Sequence, residues 1–359
     1  MRYGKISLYL GLLMWILVAC APQTYPTPTP TAPSQAFTVR DDLGRDVTFP
    51  APPQRIVITG KALFAIADAA YIFPAAKEKI VGMGKAWQGT SNFIRYVDPN
   101  YKEKVNLRSD AGAEQIAALH PDAVLLKSFL ADRVGKSIEA LGIPVVYLDL
   151  ETPEQYERDL MTLGKIFDDE ARAAQVVDFY RSKVEAVEKR VEGAPKPRVL
   201  LIYYREKNGN VSFNVPPASW IQTSMVKMAG GEPVWTQANL GKGWTQVTLE
   251  QIAAWDPDRI FVISYARPSE EAVAKLKADP NWQNLRALRE GHVLPFAHDF
   301  YSWDQPDTRW ILGLTWLAGK LHPERFPDLD IQAEVKTFYK TLYGLDGTFV
   351  EKNFEIYAP

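Results

Sequence analysis

Cysteine is almost missing from this 359-residue chain. Cys20 is the only one, which excludes an internal disulfide framework and any thiolate-bound metal cluster. Histidine is nearly as scarce. Of the four residues, His120 and His322 each precede a proline and His292 opens an apolar run, so only His298 is free for a site, and one imidazole cannot supply a zinc or manganese centre unless carboxylates join it. An excess of one charge is also lacking: 41 basic and 43 acidic residues leave a net charge of −2, so no broad field recommends nucleic acid or an anionic membrane surface. Gly-x-Ser-x-Gly, Gly-x-x-x-x-Gly-Lys and His-Glu-x-x-His are all absent, and with them the usual hydrolase, phosphate-loop and metalloprotease signatures. No enzyme is expected, although a glycosidase-type carboxylate pair stays open because acids are plentiful.

The one long apolar run, residues 6–18, is short for a membrane-spanning helix. It follows a positive start (Arg2, Lys5) and closes on Leu17-Val-Ala-Cys20, which resembles the lipobox of a bacterial lipoprotein signal. That reading makes residues 1–19 a signal peptide and Cys20 the lipidated residue of an exported protein held at the outer face of the cytoplasmic membrane. An uncleaved anchor and a plain secretory signal are the alternatives. Residues 20–36 alternate proline and threonine and predict an extended, solvated tether.

The remaining chain repeats itself. Residues 114–126 read EQIAALHPDAVLL and residues 250–262 read EQIAAWDPDRIFV. Each copy predicts a helix end, a Pro-Asp turn that halts it, and a buried strand. With 47% hydrophobic residues the chain can fill two ordinary cores, and the repeat predicts two related α/β lobes. Residues 37–49 read as two strands turning at Gly44, and apolar runs at 55–60, 80–84, 123–126 and 143–148 predict a first sheet with a helix at 62–70. Residues 153–191 read as helical. From Asp169 on, about twenty residues lack Pro and Gly and would span roughly 30 Å. A second lobe follows: a strand at 198–204, a helix at 219–228 closed by Gly230-Gly231, a capping box from Thr248 to Gln251, a strand at 292–296, an amphipathic helix at 308–321 and a further helix to Leu342. The expected division is 37–152, a connecting segment 153–192, and 193–359.

Open α/β sheets bind ligands beyond the C-terminal ends of their strands. Candidate contacts therefore follow the strands: Lys85 and Trp87; Ser128-Phe129 and its repeat counterpart Ser264-Tyr265; Arg205; and the last long loop with His298, Tyr301 and Trp303. Trp220 and Trp244 join them, since aromatic rings give a pocket large contact area at small entropic cost. Lys85 and Arg205 are the candidate partners of an anionic chelate or oxyanion, Arg205 by a bidentate contact. Tyr301 and Trp303 are placed at the rim of the cleft, whereas Trp255, Trp310 and Trp316 lie on helix faces and are assigned to the core. His298 leaves open an axial contact to a metal already held in a chelate.

Asp42-Leu-Gly-Arg45 before Pro53-x-Arg-Ile-Val57, Ile80-Val-Gly82, the two repeats, the long helix, Met228-Ala-Gly-Gly231 and the stretch from Trp303 to Leu317 occur in an order that resembles one family. It is the substrate-binding proteins of bacterial ABC importers for iron-siderophore complexes, haem and corrinoids, the type III periplasmic binding proteins with a helical backbone. The resemblance implies an α/β fold of two Rossmann-like lobes joined by a long rigid connecting helix, a ligand cleft between them, and a modest closing motion. It also implies a monomer that delivers a small-molecule metal chelate to ABC permease subunits, commonly docking through a surface acid on each lobe. Here Asp68 is the only acid near the first of those positions. No intrinsic cofactor is implied, because iron or cobalt arrives with the ligand. The loop Ser302-Trp-Asp-Gln-Pro306 resembles a subgroup assigned to molybdate or tungstate uptake as well as to iron compounds, so an oxyanion is the second expectation. A secreted hydrolase or a structural surface lipoprotein is the third.

Overall fold

The computed structural model describes residues 1, 36–85, 92–238 and 241–359. Cys20, the leader and tether before residue 36, and Trp87 lie outside them. A hairpin of β1 (Phe37–Arg40) and β2 (Asp46–Phe49) opens the body, with Gly44 in the left-handed conformation at its turn. The first sheet comprises β3 (Ile56–Ile58), β4 (Ile80–Gly84), β5 (Val105–Leu107), β6 (Ala123–Leu126) and β7 (Val145–Tyr147), in the order β5-β4-β3-β6-β7 with every pair parallel. β3 and β6 are buried along their whole length, as a parallel sheet covered on both faces requires. The strand order reverses at β3, and Gly60 stands at that switch point with φ +92.

The second sheet contains β8 (Arg198–Lys207), β9 (Asn210–Val215), β10 (Glu232–Pro233), β11 (Thr245–Val247), β12 (Arg259–Ile263) and β13 (Val293–Pro295). Its order is β11-β9-β8-β12-β13, with β10 beside β8. β8, β12 and β13 are parallel, whereas β9 returns antiparallel through the Asn208-Gly209 turn, both residues at positive φ. β8 therefore runs through Arg205 to Lys207, beyond the end that its apolar run marks, and Arg205 lies within the strand.

The connecting segment is two helices. Pro153–Phe167 starts on a Thr152 cap and ends where Asp168 turns left-handed, and the Asp169 side chain then caps Glu170–Val191. The second helix has 22 residues, about 33 Å at 1.5 Å per residue, and buries one face through Ala173, Val176, Val177, Tyr180 and Val187. Trp310–Leu321 corrects the amphipathic expectation. Ten of its twelve residues are buried, including Trp310, Leu314 and Trp316, so it is a core helix enclosed on all sides. The helices Ile331–Tyr343 and Gly347–Asn353 complete the chain.

The repeat performs the same task twice. In the first copy the Asp122 carboxylate accepts the backbone N–H groups of Gln54 and Arg55 at 2.8 and 2.9 Å, while the Arg55 side chain donates to the carbonyls of Leu119 and His120 that end the preceding helix. In the second copy Asp258 accepts the Arg198 N–H at 2.7 Å and the Arg198 guanidinium donates to the Trp255 carbonyl. His120 and Asp256, equivalent in the two copies, are both forced to positive φ. Each clasp sits at the N-terminal end of its sheet's central strand. One hydrophobic cluster runs from Val39 and Ile58 through the connecting helix to Val262 and Leu317, so the two lobes share a core.

Candidate functional site

Four aromatic rings converge at the C-terminal end of β12, where its last residue, Ile263, pairs with Tyr203 midway along β8. The Tyr203 ring lies 5.2 Å from Trp244 and 4.7 Å from Tyr265, and Trp244 meets Trp220 edge-on at 5.7 Å and Tyr265 at 6.1 Å. All four side chains are half-buried, so each packs on its neighbours and still presents surface to solvent. Three were expected from sequence. Tyr203 was missed, although it stands at the end of the apolar run of β8, the position that the strand-end rule marks. Arg205 is two residues further along β8, on the same side as Tyr203, and is exposed.

Beneath the rings is a buried polar group. The Tyr265 hydroxyl donates to Asp304 at 2.7 Å and the Gln222 amide lies 3.4 Å from the same oxygen. Among the described residues no cation forms an ion pair with Asp304. Its complete burial pushes the carboxyl up to about 6, against the opposing effect of hydrogen bonds from Ser302, Tyr265 and Gln222. Burial, and then the same carboxylate, push the Tyr265 phenol well above its ordinary value.

Next to Tyr265, a cavity of about 280 Å³ separates the loop after β12 from the loop after β13, with His298, Tyr301 and Glu270 in its walls. His298 is positioned tightly. Its backbone pairs with Tyr357, its ring stacks on the Tyr357 ring at 5.1 Å, and Nε2 lies 3.1 Å from Glu270. Tyr301 and Trp303 are not at a rim: they retain 3% and 0% of their exposure. The loop that carries them turns inward because Gly313 lets its backbone lie against the core helix, where a Cβ would stand 2.3 Å from the Trp303 carbonyl.

On the first sheet, Phe129 follows β6 and is 60% exposed, a large apolar surface just past the C-terminal end of a strand. Ser128 is half-buried, with its N–H and Oγ directed to Asp149 at 2.8 and 2.5 Å. Beside it Lys127 is buried and paired with Glu151 at 3.0 Å. Lys85 is exposed at the end of β4. Asp68 is no docking acid, because its side chain is fully buried and paired with Arg309 at 2.6 Å. A cavity of about 1000 Å³ forms a groove along the connecting helices floored by Leu160, Val177 and Trp310, away from the strand ends. Among the described residues no group of three or more His, Cys, Asp or Glu could hold a metal ion, and no helix is long and apolar enough to cross a membrane.

The arrangement offers ring surface and few cations, which suits a bulky, partly planar ligand held by contact area. Comparison with known proteins agrees with the architecture. A family model described as periplasmic binding protein matches residues 70–296. The molybdate-binding protein MolA of Haemophilus influenzae is 25% identical over 327 residues, covering 85% of this chain and 90% of that protein. The iron-uptake system-binding protein of Bacillus subtilis is 21% identical over 314 residues, 84% of this chain and 95% of that one. A solved structure of MolA bound to molybdate superposes with a TM-score of 0.72 at 21% identity, covering 86% of this chain and 98% of MolA, a likeness of fold.

Proposed function

The chain belongs to the periplasmic binding protein family, and from that premise we propose that it is the solute-binding component of an ABC importer for an iron chelate, haem or a corrinoid. The observation that carries this reading is the platform of Tyr203, Trp220, Trp244 and Tyr265. Four rings at the ends of the strands give a broad floor for a macrocycle or catecholate. Arg205 at its edge and His298 beside it supply a cation and an imidazole, and Lys85, Ser128 and Phe129 form the opposite wall. The metal is cargo and is held by its own chelator.

An oxyanion is the second reading, favoured by the similarity to the molybdate-binding protein. A small oxyanion needs converging N–H and cationic donors, whereas the described platform is mostly ring carbon. Delivery to membrane permease subunits, a monomeric state and lipid anchoring through Cys20 complete the proposal. The test is the visible spectrum and metal content of unstripped protein, followed by titration with haemin, cyanocobalamin, a ferric catecholate and molybdate. Saturable binding of one of the first three supports the chelate reading. Binding of molybdate alone replaces it, and no binding to any of them refutes both.

A further inference from the structure

Arg309 is fully buried, and the groups around it come from both ends of the chain. Its Nη1 lies 2.6 Å from Asp68, on the helix Phe64–Ala70 that follows β3, and its Nε lies 2.9 Å from Asp299, in the loop after β13. Asp307 stands 3.6 Å away, and all four side chains are shut off from solvent. The Tyr339 hydroxyl accepts from Nε at 3.1 Å and donates to Asp299, which fastens the helix Ile331–Tyr343 to the same point. The guanidinium is also sandwiched, with Phe93 of the first lobe at 4.5 Å and Tyr301 of the second at 4.7 Å.

This cluster sits directly behind the candidate site. Asp299 is flanked by His298 and lies two residues before Tyr301, and all three line the cavity beside Tyr265. The Tyr301 ring touches Phe64 at 5.5 Å, and Asp304, five residues after Asp299, accepts the Tyr265 hydroxyl of the platform. The ion cluster therefore links the helix after β3 with the loop that supports the platform. Hydrophobic residues of similar shape could fill the space at less electrostatic cost, since burying one cation among three carboxyls is expensive. What a directional ion cluster adds is a single permitted placement of the groups it joins. Asp68, Asp299, Asp307, Arg309 and Tyr339 all lie outside residues 70–296, the span of the family match, so membership alone does not predict the cluster.

We propose that Arg309 is a positioning residue for ligand binding: by tying Asp299 to Asp68 it holds the loop of residues 298–304, and through it the aromatic platform, at a fixed distance from the first lobe. The proposal rests on the solute-binding reading for its consequence, although the positioning itself is measurable without ligand.

The decisive experiment is amide hydrogen exchange on the full ligand-free chain carrying Asp68→Ala, Asp68→Asn or Arg309→Lys. In D68A the amides of residues 298–304 should exchange about tenfold faster while those of Glu170–Val191 stay unchanged, with D68N, which keeps one acceptor oxygen, intermediate. The chelate that binds the wild type, sought with haemin, cyanocobalamin and a ferric catecholate, should then bind D68A about tenfold more weakly through a faster dissociation rate. Wild-type exchange of residues 298–304 in D68A and R309K overturns the proposal. So does unchanged affinity in a variant whose loop exchange has risen. If R309K does not fold, the two Asp68 variants carry the test. If the wild type binds none of the three probes, the functional reading fails, and the exchange result still decides the positioning claim.

Discussion

Trp244 touches more of the platform than any other of its rings, and its removal is the most informative perturbation. In Trp244→Ala the contacts to Tyr203 at 5.2 Å, Trp220 at 5.7 Å and Tyr265 at 6.1 Å all disappear. A planar ligand resting on the half-exposed indole removes roughly 80 Å² of apolar surface from water, which at about 25 cal/mol per Å² is about 2 kcal/mol. That corresponds to about a 30-fold rise in Kd. The neighbouring rings also lose their lateral support, so the measured loss should reach or exceed this figure, because each aromatic pair contributes roughly 0.5–1.5 kcal/mol beyond its area. Isothermal titration with the chelate that binds the wild type measures Kd directly, and thermal unfolding monitors the fold in parallel. Trp255→Ala is the control, since this indole lies at the end of the helix Leu249–Trp255 and should alter stability alone. A Kd within twofold of wild type in Trp244→Ala, with the fold intact, would refute the platform as the ligand floor.

Stability should depend on pH through Asp304. Its carboxyl rises from 3.8 to about 6 on burial, so between these values the folded chain binds a proton that the unfolded chain does not, and stability falls as pH climbs from about 4 through 6. A rise of this size amounts to on the order of 3 kcal/mol, and because burial also raises Asp68 to about 6, Asp304→Asn should make that part of the Tm-against-pH curve shallower without flattening it. An unchanged slope would show that Asp304 is not the titrating group. Gly313→Ala should cost about 1–3 kcal/mol, because the new methyl meets the Trp303 carbonyl at 2.3 Å and the backbone must move; calorimetry checks it. Tyr265→Phe removes the 2.7 Å donor to Asp304 and should destabilise by about 1–3 kcal/mol in urea titrations, with weaker ligand binding as the second readout. Cys20→Ser should move the protein from the detergent phase to the aqueous phase in a partition assay if Cys20 carries lipid.

Much of the scaffold was legible because apolar runs such as Ile56–Ile58, Ala123–Leu126 and Arg259–Ile263 have only one use, as buried strands between covering layers. The caps were equally readable. Thr248 and Gln251 form the expected reciprocal box, and Gly230 takes the left-handed turn after its helix. Exposure was legible where a strand end announced it, at Tyr265 and Phe129, and obscure where packing decided it. Trp303 looks like a loop residue in sequence, yet a glycine on a helix ten residues later determines that it is enclosed. Asp68 and Arg309 are 241 residues apart. No local pattern links them, and the acid nearest the expected docking position is a buried partner. The helix Trp310–Leu321 illustrates the same limit, since periodicity registers its apolar residues and misses that neighbouring chain covers its remaining side.

The paired clasps of Asp122 with Arg55 and Asp258 with Arg198 have a consequence for how such a protein changes over time. Each secures the beginning of a central strand, and the loops of the proposed ligand site leave from the other end, after β3, β6 and β12. Insertions, deletions and aromatic exchanges in those loops leave the clasps intact. A lineage can therefore exchange one transported compound for another while the folding machinery of both halves is inherited unaltered, and a designer can graft foreign loops onto this frame with the two arginines and two aspartates as the fixed points.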